Sequence, residues 1–301
     1  MRFHITHKTH YAYPQAVGRG YNIAHLKPRT TERQSCRFSR ILVDPQPTLV
    51  NEWLDYFGNP AIYFALQQDH NQLTVTAVSE VEVQPPPTLL QQGYASAWED
   101  IRQQLASASG WDADFEARQY LLASPFVGLE PGLAEYAAPS FTPGRPLLAA
   151  VEDLMGRIHA DFTYDPAFTS IATPLREVFA HRRGVCQDFA HLAIGCLRAQ
   201  GLAARYVSGY LETQPPPGQD RLQGADASHA WFAVYLPGHG WVDFDPTNNQ
   251  IPFDRHITTA WGRDYGDVTP LRGVIFGGGE QHQLRVEVDV ERLPDNLPAF
   301  P

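Results

Sequence analysis

Cys186, His229 and Asp245 are the side chains in this sequence whose types and order could carry covalent chemistry. Cys186 lies in His181-Arg-Arg-Gly-Val-Cys-Gln-Asp-Phe-Ala-His-Leu192, where a loop gives way to an apolar-periodic segment. A thiol at a helix N-terminus faces unpaired backbone N–H groups and the positive end of the helix dipole, and both favour thiolate. His229 lies in Ser228-His-Ala-Trp231, and Asp245 in Gly240-Trp-Val-Asp-Phe-Asp-Pro-Thr247. A cysteine, then a histidine, then an aspartate is the constellation of an acyl-transfer nucleophile with its base and the acid that orients the base.

The spacing supports that reading. Between His229 and Asp245 there is room for a strand, a Pro237-Gly-His-Gly240 turn and a short return strand. Adjacent strands lie ~4.8 Å apart, close enough for an imidazole to meet a carboxylate at the strand ends. Asp243 is a rival on the same face, but Pro246-Thr247 marks the strand terminus at Asp245, which is preferred. The sulfur would attack an amide or ester carbonyl, and His229 would protonate the leaving group. The oxyanion would be received by the Cys186 N–H and one further donor, for which Tyr164 and Gln187 are the candidates. Cys196 falls on the apolar face of the same helix and reads as core, and Cys36 has no evident partners. His4, His7 and His10 cannot share one strand face, because odd separations alternate. No metal and no cofactor is expected.

These residues need a helix and a hairpin to hold them. Phe189, Leu192, Ala193, Cys196 and Leu197 recur at helical spacing, and Gly201 stops the helix begun at Cys186, so one face of it is core. Strands are predicted over 204–211, 229–236 and 241–245, and the alternation of 284–290 predicts a last strand closing the same sheet. Upstream, 147–162 and 174–181 read as helices. Residues 3–83 alternate as strands between Pro, Asn and Gly turns and predict an antiparallel β-sandwich, ended by Pro85-Pro-Pro87. The predicted organisation is α+β: an N-terminal β domain over 1–87, a helical bridge over 88–144 and a catalytic domain over 145–301. Trp98 and Trp111, in the bridge, read as packing residues. The Pro- and Gly-rich loop from Thr213 to Ser228 is expected to border the cleft.

Composition limits the partners. In 301 residues there are 23 basic and 33 acidic side chains, a formal net charge of −10, which argues against nucleic acid and against an anionic membrane. No apolar run approaches a membrane span, and the first ten residues lack a signal-peptide core. Three cysteines without CxxC spacing suit a reducing cytoplasm.

At Arg183-Gly-Val-Cys-Gln-Asp-Phe-Ala190, Gly201-Leu-Ala-Ala-Arg-Tyr-Val-Ser-Gly-Tyr210, Ser228-His-Ala-Trp231 and Gly240-Trp-Val-Asp-Phe-Asp-Pro-Thr247 the chain resembles the transglutaminase-like superfamily, a papain-related group of cysteine enzymes. Within it the chain looks like the bacterial transglutaminase-like cysteine proteases. Tyr11–Pro28 and Asp55-Tyr-Phe-Gly-Asn59 look like their N-terminal β region, and 262–279 like their C-terminal part. The resemblance implies a papain-like catalytic core with Cys186 as nucleophile, His229 as base and Asp245 as orienting acid. It implies a peptide or protein amide as substrate, with hydrolysis as the expected outcome. Amine transfer onto glutamine and a non-catalytic protein-binding module are the alternatives. No calcium loop of the animal enzymes is present in the sequence.

Overall fold

Alternating apolar residues from Phe3 onward make a single strand, β1 (Arg2–Ala24), that runs straight through Pro14, Gly18 and Gly20. The computed structural model describes residues 1–85, 95–110, 112–213 and 228–294. After β1 come β2 (Gln34–Asp44), β3 (Leu49–Leu54), β4 (Pro60–Leu66) and β5 (His70–Val83). Helices α1 (Trp98–Ser107), α2 (Ala113–Ala117), α3 (Leu133–Ala137) and α4 (Leu147–Asp161) follow. Then come β6 (Thr163–Tyr164), α5 (Leu175–His181), β7 (Arg183–Gly184) and α6 (Cys186–Ala199). The chain ends with β8 (Ala204–Leu211), β9 (Ser228–Leu236), β10 (Gly240–Phe244), β11 (His256–Gly262), α7 (Tyr265–Val268), β12 (Leu271–Gly277) and β13 (Gln283–Leu293). The architecture is α+β.

β1 is the spine of the first sheet. Its first half lies between β5 and β13, its second half between β4 and β12, all antiparallel. The sheet curls around Tyr13, Val17, Phe64, Leu66, Leu73 and Val75, the inward residues of its two halves. The segment 284–290 does alternate as a strand, but it pairs with β1 and not with the catalytic sheet. Alternation reveals a strand and one buried face; it carries no information about which edge the strand will find.

The second sheet has the order β10-β9-β8-β11. Ala230, Phe232 and Val234 point from one face into a core shared with Phe189, Leu192 and Leu197 of α6 and with Trp98, Ile101, Leu133, Leu154 and Ile158 of the preceding helices. Trp98 is therefore a packing residue; Trp111 and residues 214–227 of the predicted cleft loop lie outside the described residues. α6 is more deeply enclosed than a one-faced helix, since every residue from Asp188 to Arg198 is buried. The far side of α6 is covered by α3 and α5. Truncating Leu192 to alanine in such a core costs ~2–5 kcal/mol. Arg198 survives burial because carbonyls of Tyr120, Ala204 and Arg263 and the Ser124 hydroxyl accept its N–H groups.

Candidate active site

The approach to Cys186 is locked by backbone pairing. Thr163 N–H donates to the Arg182 carbonyl and Asp165 N–H to the Gly184 carbonyl, each at 2.8 Å. The Arg183 guanidinium closes the same pair of segments on Asp165. Val185 is extended, and the helix begins at Cys186. One turn on, the Asp188 carboxylate reaches back to accept the Val185 N–H at 2.8 Å and the Thr169 hydroxyl at 2.8 Å. Burial pushes the Asp188 carboxyl up, against the pull of those two bonds. Only glycine suits position 184: a Cβ there would sit 2.8 Å from both the Cβ and Oδ2 of Asp188. The N–H groups of the first helical turn have no carbonyl behind them, so they remain available beside the sulfur. Cys186 is partly exposed.

His229 and Asp245 come from adjacent strands. β9 and β10 pair antiparallel as far as Phe244 opposite Phe232, and Asp245 follows at the strand end. Asp245 and Gln250 exchange both backbone hydrogen bonds, at 2.9 and 3.1 Å, which folds the intervening residues over the carboxylate. Oδ1 accepts the N–H groups of Thr247 at 3.0 Å and Asn248 at 3.3 Å. Oδ2 accepts from His229 Nε2 at 2.8 Å, His256 Nε2 at 3.1 Å and Asn248 Nδ2 at 2.8 Å. Burial alone would raise this carboxyl, but the donors, His229 and His256 foremost, hold it well below the usual carboxylate range. The Cys186 thiol lies near enough to the His229 imidazole to act on its charge. With Nε2 committed to Asp245, Nδ1 is the nitrogen left for the sulfur. Burial pulls the His229 ring down, but the bond to Asp245 and the nearby Cys186 prevail and raise it to about 10. Opposite His229 in β8 stands Gly209, where a Cβ would lie 2.0 Å from the Ile257 carbonyl oxygen and 2.7 Å from the Trp231 ring. That glycine lets β11 and Trp231 close up beside the imidazole.

Residues 3–82 match the family described as the bacterial transglutaminase-like N-terminal region, and residues 135–246 match the transglutaminase-like superfamily. An uncharacterised protein of Mycobacterium tuberculosis is 44% identical over 295 residues, covering 96% of this chain and 92% of its own length. This chain belongs to the transglutaminase-like superfamily. A Mycobacterium leprae relative in the same range is 31% identical over 295 residues, 97% of this chain and 99% of its own. The protein-glutamine gamma-glutamyltransferase of Pseudomonas aeruginosa is 28% identical over 128 residues, 36% of this chain and 19% of its own. A crystal structure from Cytophaga hutchinsonii, described as a candidate cysteine protease, shares the fold. It has a TM-score of 0.76 at 20% identity and covers 100% of this chain and 93% of its own.

In this transglutaminase-like chain Cys186, His229 and Asp245 are brought together. Tyr164 stands beside them: its ring meets Phe189 edge-on at 6.4 Å, and burial together with the neighbouring Cys186 raises its phenol. It is still 55% exposed, so it can turn toward a bound group. Gln187 follows the cysteine in the first turn of α6. Cys196 is fully buried on the apolar face, as its helical position predicts, and burial pushes its thiol up to about 12. His7 is buried between Tyr210 and Thr9 as a core hydrogen-bonding group. Asp243 does not reach His229.

Two contributors have no counterpart in the sequence reading. Asn248 carries a local signal, since an amide three residues after an aspartate at a strand end suits a turn that caps it. His256 carries none, because it arrives from a different strand. His229, Asp245 and His256 place ligand atoms within 4.8 Å of one another, a spacing that one ion could share. In this arrangement those atoms already satisfy each other, with both Nε2 atoms directed at Oδ2. Among the described residues no helix is long and apolar enough to cross a membrane.

Proposed function

We propose that this protein is a cysteine acyl-transfer enzyme that cleaves amide bonds, peptide or isopeptide, through a thioester on Cys186. The observation that carries this reading is one imidazole, His229, hydrogen-bonded to a buried aspartate and electrostatically coupled to the thiol at the start of α6. A ring that stays protonated to about 10 is the cationic neighbour a thiolate nucleophile needs. The sulfur attacks the carbonyl carbon, and the oxyanion forms against the Cys186 N–H and the Tyr164 hydroxyl or Gln187. His229 gives its proton to the departing amine as the C–N bond breaks. Water then attacks the thioester, His229 takes its proton, and the acid leaves with the sulfur restored. Asp245 keeps the ring oriented throughout; His256 and Asn248 keep Asp245 oriented. The substrate of this reading is a peptide or protein amide, and three cysteines without a disulfide are in keeping with a reducing compartment.

A panel of fluorogenic peptide amides, followed by mass mapping of the quenched enzyme, tests this. An acyl adduct on the Cys186 peptide that disappears in Cys186→Ala supports the reading. Hydrolysis that persists in Cys186→Ala sinks it. The partial likeness to a protein-glutamine gamma-glutamyltransferase favours amine transfer as a second reading. Incorporation of dansylcadaverine into a glutamine-rich protein faster than its deamidation would select that reading.

A further inference from the structure

The sheet face turned away from α6 borders a half-open cavity of about 1770 Å³, roofed by the loop around Arg33 and by residues 112–122. Trp231 and His256 form its wall toward His229, and Cys186 is not among its lining residues. On its floor, from β8, lies Arg205. That side chain is nine-tenths buried, yet its Nε has no hydrogen-bond partner among the described residues. Its guanidinium carbon lies over two indoles, 4.4 Å from the ring centre of Trp241 and 3.8 Å from that of Trp261. Contacts of this kind hold the guanidinium in place and leave its N–H groups as the part that can still make polar bonds. Those groups are the part of arginine that binds a carboxylate with two parallel bonds. No carboxylate among the described residues comes within ion-pair distance of it, and Asp243 acts on it only from further away. Asp243 itself is pushed up by burial, which weakens it as a counter-ion. On the far side of the wall, His256 holds Asp245 through Nε2 while its Nδ1 is buried and unpartnered. A buried N–H with no acceptor costs stability unless something arrives to accept.

We propose that this cavity is a binding site for a ligand bearing a carboxylate, gripped by Arg205 beside Trp241 and Trp261, and separate from the sulfur of Cys186. The site does not depend on the thioester chemistry, because its test reads binding and not turnover. Isothermal titration of the full chain, in the Cys186→Ala background, uses 3-phenylpropionate against the neutral isostere 3-phenylpropan-1-ol. A second pair, Gly-Gly-Phe with a free or an amidated C-terminus, separates a small organic acid from a peptide end as the source of the carboxylate. Saturable one-to-one binding of at least one acid is expected, with its neutral partner weaker by at least about tenfold. Arg205→Lys keeps the charge but loses the fork, and it should weaken acid binding at least about tenfold. Asp243→Asn removes a competing anion and should tighten it severalfold. The proposal is overturned if neither acid binds at millimolar concentration, if acid and neutral partner bind alike, or if a folded Arg205→Lys binds undiminished.

Discussion

Asp243 and Asp245 lie two residues apart on the same side of the β10 hairpin arm, and their surroundings are opposite. Asp245 is fully buried and takes hydrogen bonds from two imidazoles, two side-chain amides and two backbone N–H groups. Its carboxyl is held well below the usual range. Asp243 faces the cavity, with Arg205 and Arg33 acting on it through space, and burial raises it. Burial alone would raise both carboxyls, so the number of donors decides the outcome. The donors come from the turn after Asp245, which folds back at Gln250, and from β11, which brings His256. One aspartate is thereby fixed as an anion against two imidazoles. The other sits beside a guanidinium that still has donors to offer.

Removing the favoured aspartate should produce the largest effect. Asp245→Ala is expected to lower kcat/KM on a cleaved peptide amide by about 10⁴-fold, the scale for loss of an orienting carboxylate. His256→Phe should cost between about tenfold and a hundredfold in kcat with KM unmoved, because it loosens Asp245 without touching substrate. Equal kcat in that variant would make His256 a mere filler of the wall. Gly184→Ala forces the Asp188 cap aside and should lower the unfolding free energy by about 1–3 kcal/mol in urea titrations.

The two aspartates should separate again in their pH dependence. His229 is raised in the folded state from its ordinary 6.5 to about 10. Its favourable contribution is therefore full below 6.5 and fades as pH rises through 10. Asp245 is depressed, so its contribution is full above its ordinary 3.8 and is lost as pH falls below that. The stability gap between wild type and Asp245→Asn should be widest from about pH 4 to 6.5 and narrow by pH 10. Asp243→Asn should go the other way at neutral pH: an ionised carboxyl with a raised folded-state value destabilises, and the amide relieves it. Stability curves of the two variants that run parallel would remove the distinction.

Much of the site is legible in the sequence because it depends on local spacing. The helix from Cys186 shows in the recurrence of Phe189, Leu192, Cys196 and Leu197, and the hairpin from His229 to Asp245 shows in one strand, one turn and one return. What the sequence does not display is assembled by long-range pairing. β13 reads as a strand, but nothing in its own residues says that β1 is its partner. β1 reads as shorter than it is, because Pro14, Gly18 and Gly20 are turn formers that the paired neighbours β4, β5 and β12 override. His256 belongs to β11, a strand buried on both faces and so without alternation, and its meeting with Asp245 is purely tertiary. The core between α6 and the earlier helices was equally invisible, since helical periodicity gives one face and not what covers the other.

The most direct measurement is a competition among the three thiols for limiting iodoacetamide at neutral pH, read by peptide mapping. Cys36 is partly exposed with its thiol raised by burial, and Cys196 is sealed in the core, so they serve as internal references. Cys186 is expected to be alkylated at least about tenfold faster than Cys36, and His229→Asn should erase that advantage. Equal labelling of Cys186 and Cys36, or an advantage that survives His229→Asn, would contradict an imidazole-activated sulfur.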